Sequence, residues 1–314
     1  MNAMNVAAPL PPIARVEGEP PASTRTTHTR KVEKVYLFML FPAVALFTLF
    51  ITVPGLVGMF FSVTNYSGFG EWHFIGLTNY LAIISDPRIL QSYGFTFFFA
   101  VVATILVNVI ALVLAIGLYS RIKWKRSLRG IYFIPMVISV IVIAYVFNFL
   151  FSNTIPALAT SVGWKPGAES ILANEQWAWV AIVIVAVWQA IPGAMIIYLA
   201  GLLAIPEEVY EAAALDGANP LRVFRSVTFP LVFGYVVINS ILGLKSFLGV
   251  YDVIVGLTNG GPGTATSSIA MTIFTGFTGG DYAYQMANSV IFFAITVIVS
   301  ILQLRLIRNR DLGL

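Results

Sequence analysis

Few side chains in this sequence are equipped for covalent chemistry. Cysteine is absent and only two histidines occur, His28 and His73, which excludes disulfides, thiolate nucleophiles and thiolate metal sites. No HExxH or paired-histidine spacing exists, and no nucleophile stands in a pattern with a base, so the chain reads as a non-enzyme. "NGGPG" (Asn259 to Gly263) is rich enough in glycine to cradle a phosphate. No Lys-Ser/Thr follows it and no strand precedes it, so it reads as a tight external turn and not a P-loop. What remains is charge in unusual places. Lys245 and Asp252 stand seven residues apart inside an apolar stretch. A lone charge at mid-membrane costs about 3 kcal/mol, so each needs water or a partner. On one uninterrupted helix, seven residues are two turns and put both on one face. A hydrated pathway and an ion pair with a second subunit both account for them.

The second concentration of charge is "IPEEVYEAAALDGANPLRVFRSVTFP" (Ile205 to Pro230), between two apolar segments. Pro206 suits a first helical turn, and Glu207, Glu208 and Glu211 complement the positive helix end. Tyr210, Ala213 and Ala214 continue the helix, and Gly217 stops it by taking a left-handed conformation that other residues resist. Asn219-Pro220 is an N-cap followed by a first-turn proline, so a second helix starts at once, carrying Leu221, Phe224 and Val227. Pro230 is expected to end it before the next apolar run. The expectation is helix, sharp turn, helix, lying parallel to a membrane. Two uses fit: acids and small residues facing a protein partner, or apolar side chains packing beneath the bundle.

The elements that must hold these residues follow from composition. Hydrophobic residues make up 58% of 314 and charged residues 10%, with a mean hydropathy of +0.87. A soluble domain carries about 25% charged residues. This chain has too little charge to cover a water-facing surface, so it belongs in a bilayer. Six segments are long enough to span it, at about 35–63, 92–119, 130–151, 178–203, 231–257 and 285–307. The runs are continuous, not alternating, which disfavours a β-barrel. Of the eighteen Lys and Arg, fifteen fall in the arm before the first span, the loops after the second and fourth, and the tail. Both termini and the 205–230 loop are therefore expected on the cytoplasmic side of a plasma membrane. Residues 1–34 are rich in Pro, Thr, Arg and Ala without an apolar period, and read as a disordered arm ahead of a 35–314 transmembrane domain.

"EAAALDGANPLRVFRSVTFP" closely resembles the EAA loop of binding-protein-dependent ABC importer permeases. Glu211, Ala212, Ala213, Asp216, Gly217, Ala218, Phe224 and Pro230 match the pattern; Val227 and Phe229 stand where Ile and Leu are usual. Three further stretches resemble the carbohydrate branch: "FIGLTNY" (Phe74 to Tyr80), "RGIYFIPMVIS" (Arg129 to Ser139) and "VYDVIVGLTNGGPGTATSSIAMTIF" (Val250 to Phe274). The resemblance implies an all-α, six-span permease subunit of a bacterial or archaeal inner membrane. In that family the loop is a coupling helix seated on a cytoplasmic ATPase. The implied partners are a second permease subunit, two ATP-binding cassette subunits that use ATP and Mg, and an external solute-binding protein, with no nucleic acid. No cofactor is expected on this chain itself. The solute implied is a sugar, a polyol or a glycerol phosphate.

By the same resemblance, solute contacts fall near Ala186, Gln189, Ala190, Gly243, Phe247 and Val250; Lys245 and Asp252 join that path on the hydrated reading of their charge. Several of these are apolar where the maltose permease carries amides or hydroxyls. Trp188, Phe247 and Tyr251 can stack on a sugar face or simply pack. An importer of a non-sugar solute and an ion-coupled secondary transporter are the alternatives. The latter needs intramembrane carboxylates, and Asp252 is the one plausible candidate.

Overall fold

The computed structural model describes residues 34–120 and 123–308. The arm up to residue 33, Arg121 and Arg310 lie outside the described residues. The chain divides into two compact units, Met1–Thr52 and Val53–Leu314. In the first, α1 (Lys34–Phe47) is followed by a π-helical turn at Thr48–Thr52. Its side chains from Phe38 to Thr52 are all exposed, and they are apolar around the whole circumference, as a helix surrounded by hydrocarbon must be.

Among the described residues of the second unit the regular structure is helical apart from a single bridge between Thr64 and Phe74. Its elements are α2 (Val53–Phe61), α3 (Thr78–Ser85), α4 (Pro87–Tyr119), α5 (Lys125–Val137), α6 (Val140–Phe149), α7 (Ile155–Ser161) and α8 (Ala178–Leu203). There follow α9 (Glu207–Leu215), α10 (Pro220–Val223), α11 (Phe229–Leu248), α12 (Asp252–Leu257), α13 (Ile269–Thr278) and α14 (Tyr282–Arg308). Six helices among the described residues are long and apolar enough to cross a bilayer: Phe38–Phe61, Pro87–Tyr119, Val140–Ser161, Ala178–Leu203, Pro220–Leu248 and Tyr282–Arg305.

The core is α4 and α8 side by side, with α11 packed on both. Ala100, Ala103, Val107, Ala111 and Ala115 run down one side of α4 at helical spacing and are buried. Lipid tails are as apolar as leucine, so helices in a membrane associate through close packing of small residues and through buried hydrogen bonds. Both are present. The Tyr198 hydroxyl of α8 donates to the Asn108 side chain of α4. Asn239 of α11 donates from Nδ2 to the Ala194 carbonyl of α8 at 3.1 Å. Asn79, in the Phe74–Tyr80 stretch, ties the end of α2 to α3 by donating to the Ser62 and Thr64 carbonyls, both at 2.9 Å.

Three expectations from the sequence need correction, each about where a helix ends. The third crossing is not 130–151: the helix ends at Val137, Ile138 is extended (φ −88, ψ 139), and the crossing runs from Val140 to Ser161. Pro135, which has no N–H to give, lies inside the last turn of α5. The fifth span does not reach 257. It stops at Leu248, Gly249 and Tyr251 leave helical geometry, and α12 begins anew at Asp252. Pro230 does not end a helix. The π-helical turn Phe224–Thr228, in which the Phe229 N–H reaches the Phe224 carbonyl, absorbs the proline. One helix therefore runs unbroken from Pro220 to Leu248. "NGGPG" does stand between the fifth and sixth spans, where it turns from α12 towards α13. It lies at the end of the bundle where α4 begins, with Thr264 donating to the Gln91 amide oxygen at 3.1 Å.

The α12–α13 hairpin is held on two sides. Asn148 of α6 donates to the Leu257 carbonyl at 2.6 Å, closing the end of α12. Ser268 donates to the Val250 carbonyl at 2.7 Å, and the Ile269 N–H donates to Thr96 Oγ1 of α4 at 2.9 Å. Gly256 sits directly against Ala144, where a Cβ would collide with the alanine methyl. Gly256→Ala is therefore expected to destabilise the bundle by about 1–3 kcal/mol, as overpacking does. Adding Ala144→Gly to the same chain should recover most of that loss. Reversible unfolding in mixed micelles checks both; equal stability of wild type and Gly256→Ala would refute the contact.

Candidate functional site

Two places collect the residues marked by the sequence. The first is a cavity of about 350 Å³ where α5, α6, α8, α11 and α12 meet. Its walls are Met136 and Val140 from either side of the α5–α6 break; Ala186, Gln189 and Ala190 from α8; Ser246 and Phe247 from the end of α11; and Gly249 to Val253 from the break and the start of α12. Of the ten pathway residues expected from sequence, seven converge here: Ala186, Gln189, Ala190, Phe247, Val250, Tyr251 and Asp252. Gln189 also donates from Nε2 to the Ile138 carbonyl at 3.3 Å, which meets a backbone acceptor freed by the α5–α6 break.

The other three lie outside the lining. Trp188 packs its ring on Phe147 with centroids 5.4 Å apart. Gly243 is a packing position, since a Cβ there would touch Thr104 Cγ2 of α4 at 3.4 Å. Lys245 is exposed in the last turn of α11, where a cation complements the negative helix end. Because Asp252 starts a separate helix, the expected shared face of Lys245 and Asp252 does not exist. The two form no ion pair; among the described residues the one salt bridge is Arg88–Asp86 at 3.6 Å. The cavity aromatics also have partners of their own: Phe247 meets Phe99 edge-on at 5.8 Å, and Tyr251 meets Phe274 at 5.2 Å. Sequence reasoning missed Ser246, a hydroxyl beside Lys245 that was visible as a polar residue in an apolar run. It also missed Met136 and Val140, which reach the cavity because of a break that hydropathy does not register.

The second place is the loop joining α8 to α11. α9 ends at Asp216, and Gly217 adopts φ +68, with the Ala218 N–H returning to the Ala213 carbonyl at 3.1 Å. Asn219 then caps α10, its side chain accepting from the Arg222 N–H at 2.8 Å. α9 is seated on the bundle by Val209, Tyr210 and the buried Ala213, with Phe224 beside them. Tyr210 accepts from Thr228 Oγ1 at 3.4 Å and lies 6.2 Å from the Tyr119 ring at the end of α4. Glu207, Glu208, Glu211, Ala212, Asp216, Gly217 and Pro230 are exposed, whereas Ala213 turns into the bundle and Ala218 and Phe224 are half-buried. The small residues therefore do not all face outward. Leu215, which sequence reasoning passed over, is 90% exposed at the tip of α9.

The two places are mechanically joined. α8 and α11 both line the cavity, and the loop connects them directly. Gln189 lies about 20 Å from the loop end of α8 and Ser246 about 25 Å from the start of α11, at 1.5 Å rise per residue.

Comparison with known proteins gives this geometry a context. Residues 108–310 match the family described as binding-protein-dependent transport system inner membrane component. The multiple sugar-binding transport system permease protein of Streptococcus mutans is 32% identical over 282 residues, covering 88% of this chain and 97% of that protein. The trehalose/maltose transport system permease protein of Thermococcus litoralis is 33% identical, over 88% and 95% of the two chains. Among solved structures, a bacterial ABC transporter involved in import of the acidic polysaccharide alginate matches with a TM-score of 0.77. It is 17% identical and covers 88% of this chain and 96% of that one, a likeness of fold.

Gly217 offers a direct test of the loop geometry. A side chain in left-handed backbone costs about 1–2 kcal/mol, so Gly217→Ala should loosen α9 and α10 locally while leaving α8 and α11 intact. Faster amide hydrogen exchange confined to residues 207–223 is the expected result, and unchanged exchange there would refute the locked turn.

Proposed function

The chain belongs to the family of binding-protein-dependent transport system inner membrane components, and we propose that it lines half of a pathway for a neutral carbohydrate and is driven by a cytoplasmic ATPase through the 205–230 loop. As a permease subunit of a binding-protein-dependent ABC importer it moves solute and transforms nothing. One observation carries the reading: two helices that both line the cavity, α8 and α11, are the two that the loop joins. A partner that grips the loop therefore has a rigid hold on both walls. Gly217 and the Asn219 cap fix the angle between α9 and α10, so displacement of the loop passes into the helices and is not lost in the turn. ATP and Mg belong to the partner, since this chain has no P-loop.

The exposed part of the loop suits such a partner. Glu207, Glu208, Glu211 and Asp216 offer negative charge, and Leu215 and Leu221 offer apolar anchors at 90% and 59% exposure. Interfaces draw most of their energy from a few such anchors ringed by polar residues. A second permease subunit would close the cavity and give Lys245 and Asp252, both exposed on this chain, a polar environment they otherwise lack in lipid. An external binding protein would deliver the solute; an alginate transporter of the same fold is known in complex with its solute-bound periplasmic protein.

The lining supports a neutral solute over an acidic one. Gln189, Ser246, Tyr251 and Asp252 supply hydrogen-bonding groups, and among the described residues no Lys or Arg lines the cavity. An anion would meet the Asp252 carboxylate with no cation to offset it. The similar proteins include transporters named for multiple sugars and for trehalose and maltose, and others named for sn-glycerol-3-phosphate. The cavity chemistry favours the former group.

The deciding experiment is ATPase stimulation of the purified complex, co-expressed with its genomic neighbours and reconstituted with the binding protein, across neutral sugars, acidic sugars and glycerol phosphates. Neutral sugars are expected to stimulate it. Stimulation by acidic solutes alone would overturn the solute reading, and absence of any co-purifying ATPase would overturn the coupling reading. Leu215→Asp is expected to weaken ATPase association about 30-fold, the effect of losing roughly 2 kcal/mol at an interface anchor. Glu211→Arg and Gly217→Pro should leave the chain inserted but separate ATP hydrolysis from uptake; normal uptake in both would refute the coupling role.

A further inference from the structure

The end of the bundle opposite α9 carries a second cavity, of about 430 Å³, that the pathway does not use. It is framed by Phe151 and Ile155 of the third crossing and by the connection to α8, including Trp164, Glu169, Asn174 and Trp177. We propose that this cavity is a saccharide-binding subsite at the outer mouth of the pathway, an inference that rests on the carbohydrate reading above.

Three observations carry it. The first is its chemistry. Two indoles, each 56% exposed, border the same space as a carboxylate and a carboxamide. A pyranose presents C–H faces that pack on aromatic rings and hydroxyl edges that donate to the Glu169 carboxylate and accept from the Asn174 amide N–H, so it suits this combination. The Asn174 side-chain oxygen already accepts from the Gln176 N–H at 2.9 Å. The second is rigidity. The connection is pinned by buried Leu172 and Gly167 and folded into short 3₁₀ turns at Lys165–Gly167 and Ile171–Ala173. Gly167 lies against the Trp164 ring so closely that a Cβ would collide with it, and Ser170 caps the second turn by accepting from the Leu172 N–H at 3.2 Å. The walls thus stand preformed, which lowers the cost of binding. The third is capacity and place. The volume falls within the roughly 300–1,000 Å³ of small-molecule sites. The charge asymmetry puts this end outside, where solute arrives. Tryptophans of a membrane-interface belt would account for exposed indoles, but not for Glu169, which is exposed, makes no salt bridge among the described residues, and shares their cavity.

The test uses the full importer complex in lipid nanodiscs without its binding protein, with maltose and trehalose as probes in saturation-transfer NMR. Ring-proton signals are expected in wild type. They should fall about fivefold in Trp164→Ala and Trp177→Ala, the effect of losing about 1 kcal/mol of ring packing each. Trp164→Phe and Trp177→Phe should retain most of the signal, separating loss of an aromatic face from misfolding. In uptake assays with the binding protein, the alanine variants should raise the apparent KM at unchanged maximal rate. Signals in a Trp164→Ala, Trp177→Ala double variant equal to those of wild type would overturn the subsite, as would their absence from wild type. So would alanine variants that weaken binding-protein association but keep the sugar signal. If no neutral sugar stimulates the ATPase, the carbohydrate reading has failed; if sugars stimulate it and the variants behave as wild type, only the subsite has.

Discussion

A bilayer core offers no water to a backbone N–H or C=O, so each break in a membrane helix must find its own hydrogen-bond partners within the protein. That requirement organises this molecule. The break after α5 is met by Gln189, whose amide reaches the Ile138 carbonyl. At the break after α11, Ser268 takes the Val250 carbonyl. Asn148 holds the end of α12, and Thr96 accepts the first free N–H of α13. Gln189, Asn148 and Thr96 come from three different helices and Ser268 is the N-cap of α13, so satisfying the breaks also fastens the helices together. Polar residues in the spans, odd at first sight in so apolar a chain, are explained largely by this accounting.

The breaks in turn make the cavity. Ending α5 at Val137 and α11 at Leu248 brings Met136, Val140, Ser246 and the 249–253 backbone to one point opposite Gln189 of α8. Such unwound segments are where membrane proteins can expose backbone and polar side chains to a solute without exposing them to lipid. The same helices run on, unbroken, to the α9–α10 loop. The π-helical turn at Phe224–Thr228 matters here, because it lets the helix pass through Pro230 and keeps loop and cavity wall one stiff piece.

Much of this was legible in the residues themselves. Composition and run length gave six crossings, and the loop was readable almost residue by residue: Gly217 is left-handed and Asn219 is a cap, as their types require. Other features were not. "RGIYFIPMVIS" reads as the start of a span because Ile131, Phe133, Ile134 and Met136 are as apolar on one side of a break as on the other. "SFLGVYDVIVGL" hides its break in the same way. The shared face of Lys245 and Asp252 failed because it assumed a continuous helix through Gly249, which hydropathy neither supports nor forbids. Ala213 read as an outward small residue, but tertiary packing of Val209 and Tyr210 against the bundle fixed the rotation of α9 and turned it inward.

The sequence by itself determined the bilayer as solvent, the number of crossings, the charge asymmetry between the two sides and the local shape of the loop. These depend on transfer free energy and on backbone preferences that act over a few neighbouring residues. Only the tertiary structure decided where the spans break, which residues line the cavity, and that the loop and the cavity share the same two helices. Those outcomes depend on partners distant in the chain: Gln189 for Ile138, Ser268 for Val250, Asn148 for Leu257. A break in a membrane helix is tolerable only when such a partner arrives in space, and no local window of sequence contains that information.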